Sequence, residues 1–179
     1  MSKTPITEAQ LGMPAAVISH TYIRLHGTQT ADLTVLHAGT ASVRVNLLWG
    51  GILWAFRTAE AAQGVLEAMS TARATLVYLP ADAAPPAQEP YDRPTIAIDW
   101  CARPAFAVTP RSTLTADRRR TVYWTDIFLG PLTIQLVDRA AFHSTIEVLQ
   151  RAHSVAVAVC LDGPRFAADP TADDYRAVP

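Results

Sequence analysis

The sequence predicts an α+β protein built from two tandem ββββα repeats. Antiparallel sheets are each covered by one helix, and the halves are related by a pseudo-twofold axis. Three observations carry this. Val43–Ala72 reads as a strand, a Gly50-Gly51 turn, a second strand and an amphipathic helix. The same order returns about 80 residues later, in Thr121–Ala152. Laying Gly50 on Gly130 then puts Ile52 on Leu132, Phe56 on Leu136, Leu66 on Ile146 and Met69 on Leu149. One half reads as a diverged copy of the other.

Residues 1–16 show no period and read as a flexible arm. The first repeat, 17–80, opens with alternation over Ile18–Leu25, where Ile23 and Leu25 share one face and His20, Tyr22 and Arg24 the other. Period-two patterning of this kind marks a half-buried strand. Gly27 closes it. A second strand follows with Leu33, Val35 and His37 in phase, and Gly39 breaks again. Val43, Val45, Leu47 and Trp49 line one face of a third strand. Gly50-Gly51 supplies the backbone freedom a two-residue hairpin demands, and Ile52, Trp54 and Phe56 continue in the fourth. Thr58 reads as a helix N-cap with Glu60 in the first turn, ahead of a stripe at Ala62, Val65, Leu66 and Met69. Leu76–Leu79 reads as a further strand.

Five prolines within Pro80–Pro94 make a stiff, extended connector, placed at 81–93. The second repeat, 94–161, follows the same plan. Ile96, Ile98 and Trp100 form one strand face; Phe106 and Val108 form another, followed by the polar excursion TPRSTLTADRRR. Val122 and Trp124 start the third strand, Gly130-Pro131 turns, and Leu132, Ile134 and Leu136 make the fourth. Asp138 reads as an N-cap ahead of a stripe at Phe142, Ile146 and Leu149. For 153–161 the valines favour a last strand over a longer helix. The tail, 162–179, lacks a period and reads as mobile.

Half the residues are hydrophobic and 17% are charged, enough apolar material for a real core. The N-terminus lacks the charged start and apolar run of a signal peptide, and no stretch approaches a bilayer span, so a soluble cytoplasmic protein is expected. A net charge of −1 argues against coating nucleic acid by bulk electrostatics, though a local basic patch is compatible with it. All basic residues but Lys3 are arginine, a bias that fits a GC-rich genome.

Reactive constellations are scarce. No phosphate-binding glycine loop, zinc-protease helix, nucleophile elbow or calcium loop occurs. Cys101 and Cys160 read as small buried hydrophobes, and the four tryptophans as core or inter-repeat packing. His143 and Glu147 have ligand-compatible spacing without an evident third partner. Asp99 and Asp126 sit within apolar strands and could meet as a carboxylate pair, although solvent-facing positions are the plainer reading. No cofactor or metal is expected, and an enzyme is the less favoured class.

The segment above background is the arginine run. Arg118, Arg119 and Arg120 lead into Tyr123 and Trp124, with Arg111 upstream. Guanidinium groups fork onto phosphates and aromatic faces stack bases, so these six residues form a candidate single-stranded nucleic-acid site. Tyr22, Arg24 and Arg44 could extend it. The alternative is a protein-interaction or self-assembly subunit, with a homo-oligomer or another protein as partner.

The tandem ββββα order resembles that of PUR-repeat proteins and, more loosely, of Whirly-type single-strand binders. That resemblance implies curved sheets carrying basic and aromatic residues. Separately, LGPLTIQLVDRAAFHSTIEVLQRAH, about 25 residues, is similar to stretches in uncharacterised actinomycete proteins, some on plasmids or integrative elements. It implies no activity.

Overall fold

A computed structural model describes residues 19–84 and 96–177; the predicted N-terminal arm and most of the proline-rich connector lie outside these residues. The first half contributes β1 (Thr21–Leu25), β2 (Asp32–Leu36), β3 (Arg44–Trp49), β4 (Ile52–Phe56) and α1 (Ala59–Thr71), then a 3-10 helix, Ala72–Tyr78. The second contributes β5 (Ile96–Trp100), β6 (Phe106–Leu114), β7 (Thr121–Leu129), β8 (Leu132–Leu136) and α2 (Arg139–Val159), then a short 3-10 helix, Gly163–Phe166. The α+β class and the repeated ββββα order stand as the sequence predicts.

The pairing adds a feature that periodicity does not carry. Each half gives its first strand to the other half's sheet. Sheet A runs β1-β8-β7-β6 and sheet B runs β2-β3-β4-β5. Within each sheet three strands are antiparallel, and the donated strand joins parallel, β1 on β8 and β5 on β4. Thr21 sits opposite Leu132 as Ile96 sits opposite Ile52. The flanking bonds match too. Thr21 N donates to Pro131 O at 2.8 Å and Val137 N to Leu25 O at 3.2 Å; Ile96 N donates to Gly51 O at 3.0 Å and Arg57 N to Trp100 O at 2.9 Å. This is pseudo-twofold symmetry bond for bond.

Alternation sets what each face does. Ile23, Leu25, Val45, Leu47, Trp49, Trp54, Phe56, Ile127, Ile134 and Leu136 point inward and are buried. The two turns place Gly50 and Gly130 at φ 58° and 61°, a region an L side chain rarely adopts. Each sheet is covered by a helix, and the helices cross over: α1 leaves β4 of sheet B to pack on β6 and β7 of sheet A, whereas α2 packs on β3 of sheet B. They also pack on one another, which explains why α1 is buried on nearly every side.

Both helices start as predicted, with Thr58 Oγ1 accepting from Ala61 N and Asp138 Oδ1 from Ala141 N. Each start is also tied to distant chain. Asp138 Oδ2 accepts from Gly27 N at 2.8 Å and Ala83 N at 3.1 Å, so the α2 cap holds the β1–β2 turn and the start of the connector. Asp162, beyond α2, accepts from Ala59 N and Glu60 N at the start of α1. Carboxylates at helix N–H groups that lack an intrahelical partner are favourable on both hydrogen-bond and dipole grounds.

Several expectations are corrected. Leu76–Leu79 is not a strand: Thr75 Oγ1 bonds back to Ala72 O and across to Thr125 Oγ1, both at 2.7 Å, keeping 72–78 coiled. The valines of 153–159 continue α2, because His153 and Ala156 both face the core at helical spacing. The first half of the polar excursion after Val108 is strand, since β6 runs on to Leu114. His37 turns to φ 53° and ends β2 instead of extending it. The tail is tied down as far as Tyr175: Phe166 is buried, Gln63 donates to Phe166 O and Ala168 O, Gln150 and Arg73 reach Thr171, and the Tyr175 hydroxyl donates to Glu67. Trp49, Trp54 and Trp100 pack in the core with neighbouring ring centroids 5.3 and 5.5 Å apart, but Trp124 lies on the outer face of sheet A. Cys101 is exposed, not buried; Cys160 is buried, and desolvation aided by Asp162 pushes its thiol up to about 11.

Two glycines are placed under different constraints. A Cβ on Gly163 would lie 1.9 Å from backbone Val157 O, and one on Gly64 2.6 Å from Arg103 Cγ and 3.1 Å from Pro104 Cδ. Gly163→Ala should cost about 3 kcal/mol in denaturant unfolding, while Gly64→Ala, where helix propensity worth about 1 kcal/mol offsets part of the clash, should cost about 1–2 kcal/mol; the reverse ranking contradicts this packing. The raised Cys160 pKa keeps that thiol protonated at about pH 8. A disulfide reagent should therefore titrate Cys101 alone in the native protein and both cysteines only after unfolding.

Candidate nucleic-acid interface

The site grows out of one difference between the halves. In sheet B the β2–β3 ladder stops at Leu36 opposite Arg44. The equivalent ladder in sheet A passes Arg111 opposite Trp124 and continues for Ser112–Tyr123, Thr113–Val122 and Leu114–Thr121. The result is a two-stranded ribbon ending in Thr115–Arg120.

Local hydrogen bonds shape that tip. Thr115 N donates to Arg120 O and Arg118 N to Thr115 O, both at 2.8 Å, and Arg118 adopts φ 56°. Asp117 accepts from the Thr115 hydroxyl and from Arg119 N, and these bonds hold its carboxyl below the usual range. The turn keeps those bonds while Asp117 is ionised and loses them as pH falls through the lowered pKa. Arg118, Arg119 and Arg120 are exposed, and among the described residues no carboxylate pairs with them.

Strand alternation divides the remaining predicted residues. Arg111 and Trp124 share the outer face of sheet A; Tyr123, next in sequence to Trp124, points the other way and stacks near Tyr78 with centroids 6.5 Å apart. The six residues thus occupy a tip and two faces.

On the outer face the parallel β1–β8 pairing brings in residues from the first half. Arg24 lies opposite Gln135, which lies opposite Asp126; Tyr22 lies opposite Thr133, which lies opposite Phe128. A polar chain crosses the sheet. Arg24 donates to Gln135 Oε1 at 3.0 and 3.2 Å, and Gln135 Nε2 to Asp126 Oδ1 at 3.1 Å. Asp126 Oδ1 also accepts from Trp124 Nε1 at 2.9 Å, and its Oδ2 pairs with Arg111 Nε at 3.3 Å. Asp126 is buried, so it acts as a hub that orients one indole and one guanidinium. His20 pairs with Thr133 Oγ1 and lies against Tyr22, ring centroids 4.4 Å apart. Tyr22 itself is 67% exposed.

Of the three residues expected to extend the site, Tyr22 and Arg24 join it and Arg44 does not, since Arg44 belongs to sheet B. Asp99 and Asp126 do not form a carboxylate pair. They sit on different sheets, and each has its own arginine, Asp99 with Arg57 at 3.5 Å. His143 and Glu147 are exposed on α2, and among the described residues no group of three His, Cys, Asp or Glu side chains could hold a metal. No described helix is long and apolar enough to cross a membrane.

The pseudo-twofold axis supplies an internal comparison. Where sheet A has Tyr22, Arg24, Arg111, Trp124, Phe128 and Gln135, sheet B has Ala97, Asp99, Leu36, Arg44, Leu48 and Ala55. One backbone carries two different surfaces. Comparison with protein-family models, with curated proteins and with solved structures gives no significant match.

Asp126→Ala removes the shared acceptor of three donors, Arg111 Nε, Trp124 Nε1 and Gln135 Nε2. It should lower stability by about 1–3 kcal/mol in denaturant unfolding and free the Trp124 indole N–H for exchange with solvent. A stability equal to that of the parent protein contradicts the hub.

Proposed function

We propose that this protein is a binding module for single-stranded nucleic acid, with the outer face of sheet A and the arginine tip as its interface. The observation that carries the reading is the one-sided divergence of two equivalent faces. Sheet A and its tip hold five guanidinium groups, Arg24, Arg111, Arg118, Arg119 and Arg120, against two carboxylates, Asp117 and Asp126. The chain as a whole carries a net charge of −1, so this positive charge is local.

The chemistry suits an unpaired strand. Tyr22, Trp124 and Phe128 offer ring faces on which bases stack without regard to sequence, and arginines beside them neutralise the backbone. Asp126 orients Arg111 and Trp124 while cancelling part of the charge, which favours moderate affinity. Contacts of this type position a strand without reading its sequence.

A second reading rests on sheet B. Leu36 and Leu48 are each 46% exposed on its outer face; Leu48 shares a row with Leu53 and Ala97, and Leu36 stands beside Arg44 two rows away. Exposed aliphatic side chains rimmed by polar ones are the kind of surface that recruits a protein or a second copy. Under this reading Leu48→Arg abolishes a concentration-dependent oligomer and leaves strand binding alone.

Replacing Arg118, Arg119 and Arg120 together by alanine should weaken binding to a mixed-sequence single strand and flatten the plot of log affinity against log salt by about 2. Fluorescence anisotropy across a salt series measures both. An unchanged slope, or no binding by the parent protein at low salt, would overturn the proposal.

A further inference from the structure

The ribbon has a second side. Tyr123 faces away from Trp124 and toward the 3-10 helix Ala72–Tyr78, and a groove of about 490 Å³ lies between them. Tyr78, Tyr123, Pro80 and Val137 line it, together with Arg120 and Asp82. Tyr78 and Tyr123 are 54% and 41% exposed, with ring planes only 22° from parallel.

This pairing of rings follows from matched spacings. Residues three apart in a 3-10 helix eclipse one another and rise about 6 Å, while residues two apart in a strand are about 6.6 Å apart on one face. Thr75 bonds Thr125 at 2.7 Å, and three residues on in the helix, two back in the strand, Tyr78 meets Tyr123. The buried Thr75–Thr125 bond therefore sets the register that brings the tyrosines together. The first half has no counterpart, because its β2–β3 ladder ends before the extension begins.

We infer that this groove takes one nucleotide of a single strand, its base against the Tyr78 and Tyr123 rings and its phosphate on Arg120. The inference rests on the strand-binding reading above and deepens it by adding a second aromatic subsite on the opposite side of the ribbon. Charge argues for the occupant. A groove walled by two half-exposed rings accepts a planar group, and a guanidinium without a carboxylate partner among the described residues accepts an anion. A nucleotide unit carries both. Asp82 offers an acceptor to the donors on a base edge. The ribbon then presents aromatic side chains on both sides, Trp124 on one and Tyr123 on the other, with the arginines between them at the tip.

The test uses the full chain, a mixed-sequence oligodeoxynucleotide of about 12 residues and anisotropy titrations of the parent, Tyr78→Ala, Arg120→Gln and Trp124→Ala proteins, with circular dichroism melts as folding controls. Tyr78→Ala should weaken binding by about tenfold, and Arg120→Gln should weaken it without affecting the melt. If Trp124→Ala weakens binding and neither groove variant does, the groove proposal is overturned and the sheet-face reading survives. If the groove variants weaken it and Trp124→Ala does not, the groove stands and the sheet-face reading falls. No binding by the parent protein overturns both. Weakening by Arg120→Gln with none by Tyr78→Ala also overturns the groove, because Arg120 belongs to the tip as well; should Tyr78→Ala fail to fold, Tyr78→Leu, which removes the ring and keeps apolar bulk, takes its place.

Discussion

The constraint on which everything else depends is the reciprocal donation of β1 and β5. A three-stranded meander with one helix buries too little of its inner face, and neither half closes without the other's strand and the other's helix. The donated strands extend each sheet by a parallel pairing whose partners are far apart in sequence, β1 and β8 by more than a hundred residues. Three further ties reinforce it: Asp138 on the Gly27 turn, Ser144 Oγ on Gln29 N and Asp162 on the start of α1. The cluster formed by Glu67, Arg103, Gln63 and Tyr175 adds a fourth, fastening the chain after β5 and the tail to α1. The two halves share a single core.

The exchange also decides what the candidate site is made of. Tyr22 and Arg24 come from the first half; Arg111, Trp124, Asp126 and Gln135 come from the second. A duplicated unit offers two copies of every surface position, and only one copy has to keep any given role. Here sheet B has Ala97, Leu36, Leu48 and Ala55 where sheet A has Tyr22, Arg111, Phe128 and Gln135, and it has Asp99 and Arg44 in place of Arg24 and Trp124. The inner faces have less freedom, because both must fill the same core, and they remain almost wholly apolar even where Trp49, Trp54 and Trp100 of sheet B stand against Leu129, Ile134 and Leu25 of sheet A. Divergence outside and conservatism inside are what burial costs and solvent exposure impose on the two faces of an amphipathic strand.

Much of this was legible in the residues. Period-two alternation finds the inner faces of β3, β4 and β8, the paired glycine turns find the hairpins, and Thr58 and Asp138 announce the helix starts. Strand partners are not legible that way. β1 and β5 alternate equally well beside either half, and local pattern says nothing about which sheet receives them. The last turns of α2 escape for a related reason: valine favours strands locally, but His153 and Ala156 already lie on the buried stripe of a capped helix, and tertiary burial outweighs propensity. The packed tail is invisible because Gln63, which holds it, reads as an ordinary polar helix residue. In the site, the arginine tip stands out by composition. The separation of Tyr123 from Trp124 follows from alternation once β7 is known to be regular at that point, whereas the arrival of Tyr22 and Arg24 depends on the exchange.

Dividing the chain within residues 85–95 and producing the two pieces as separate polypeptides in one cell tests the exchange most directly. With each half completing the other's sheet, they should purify together as a single one-to-one complex with the secondary structure and thermal transition of a folded domain, and neither piece alone should be folded. Recovery of either piece as a monomer with its own cooperative transition would contradict it.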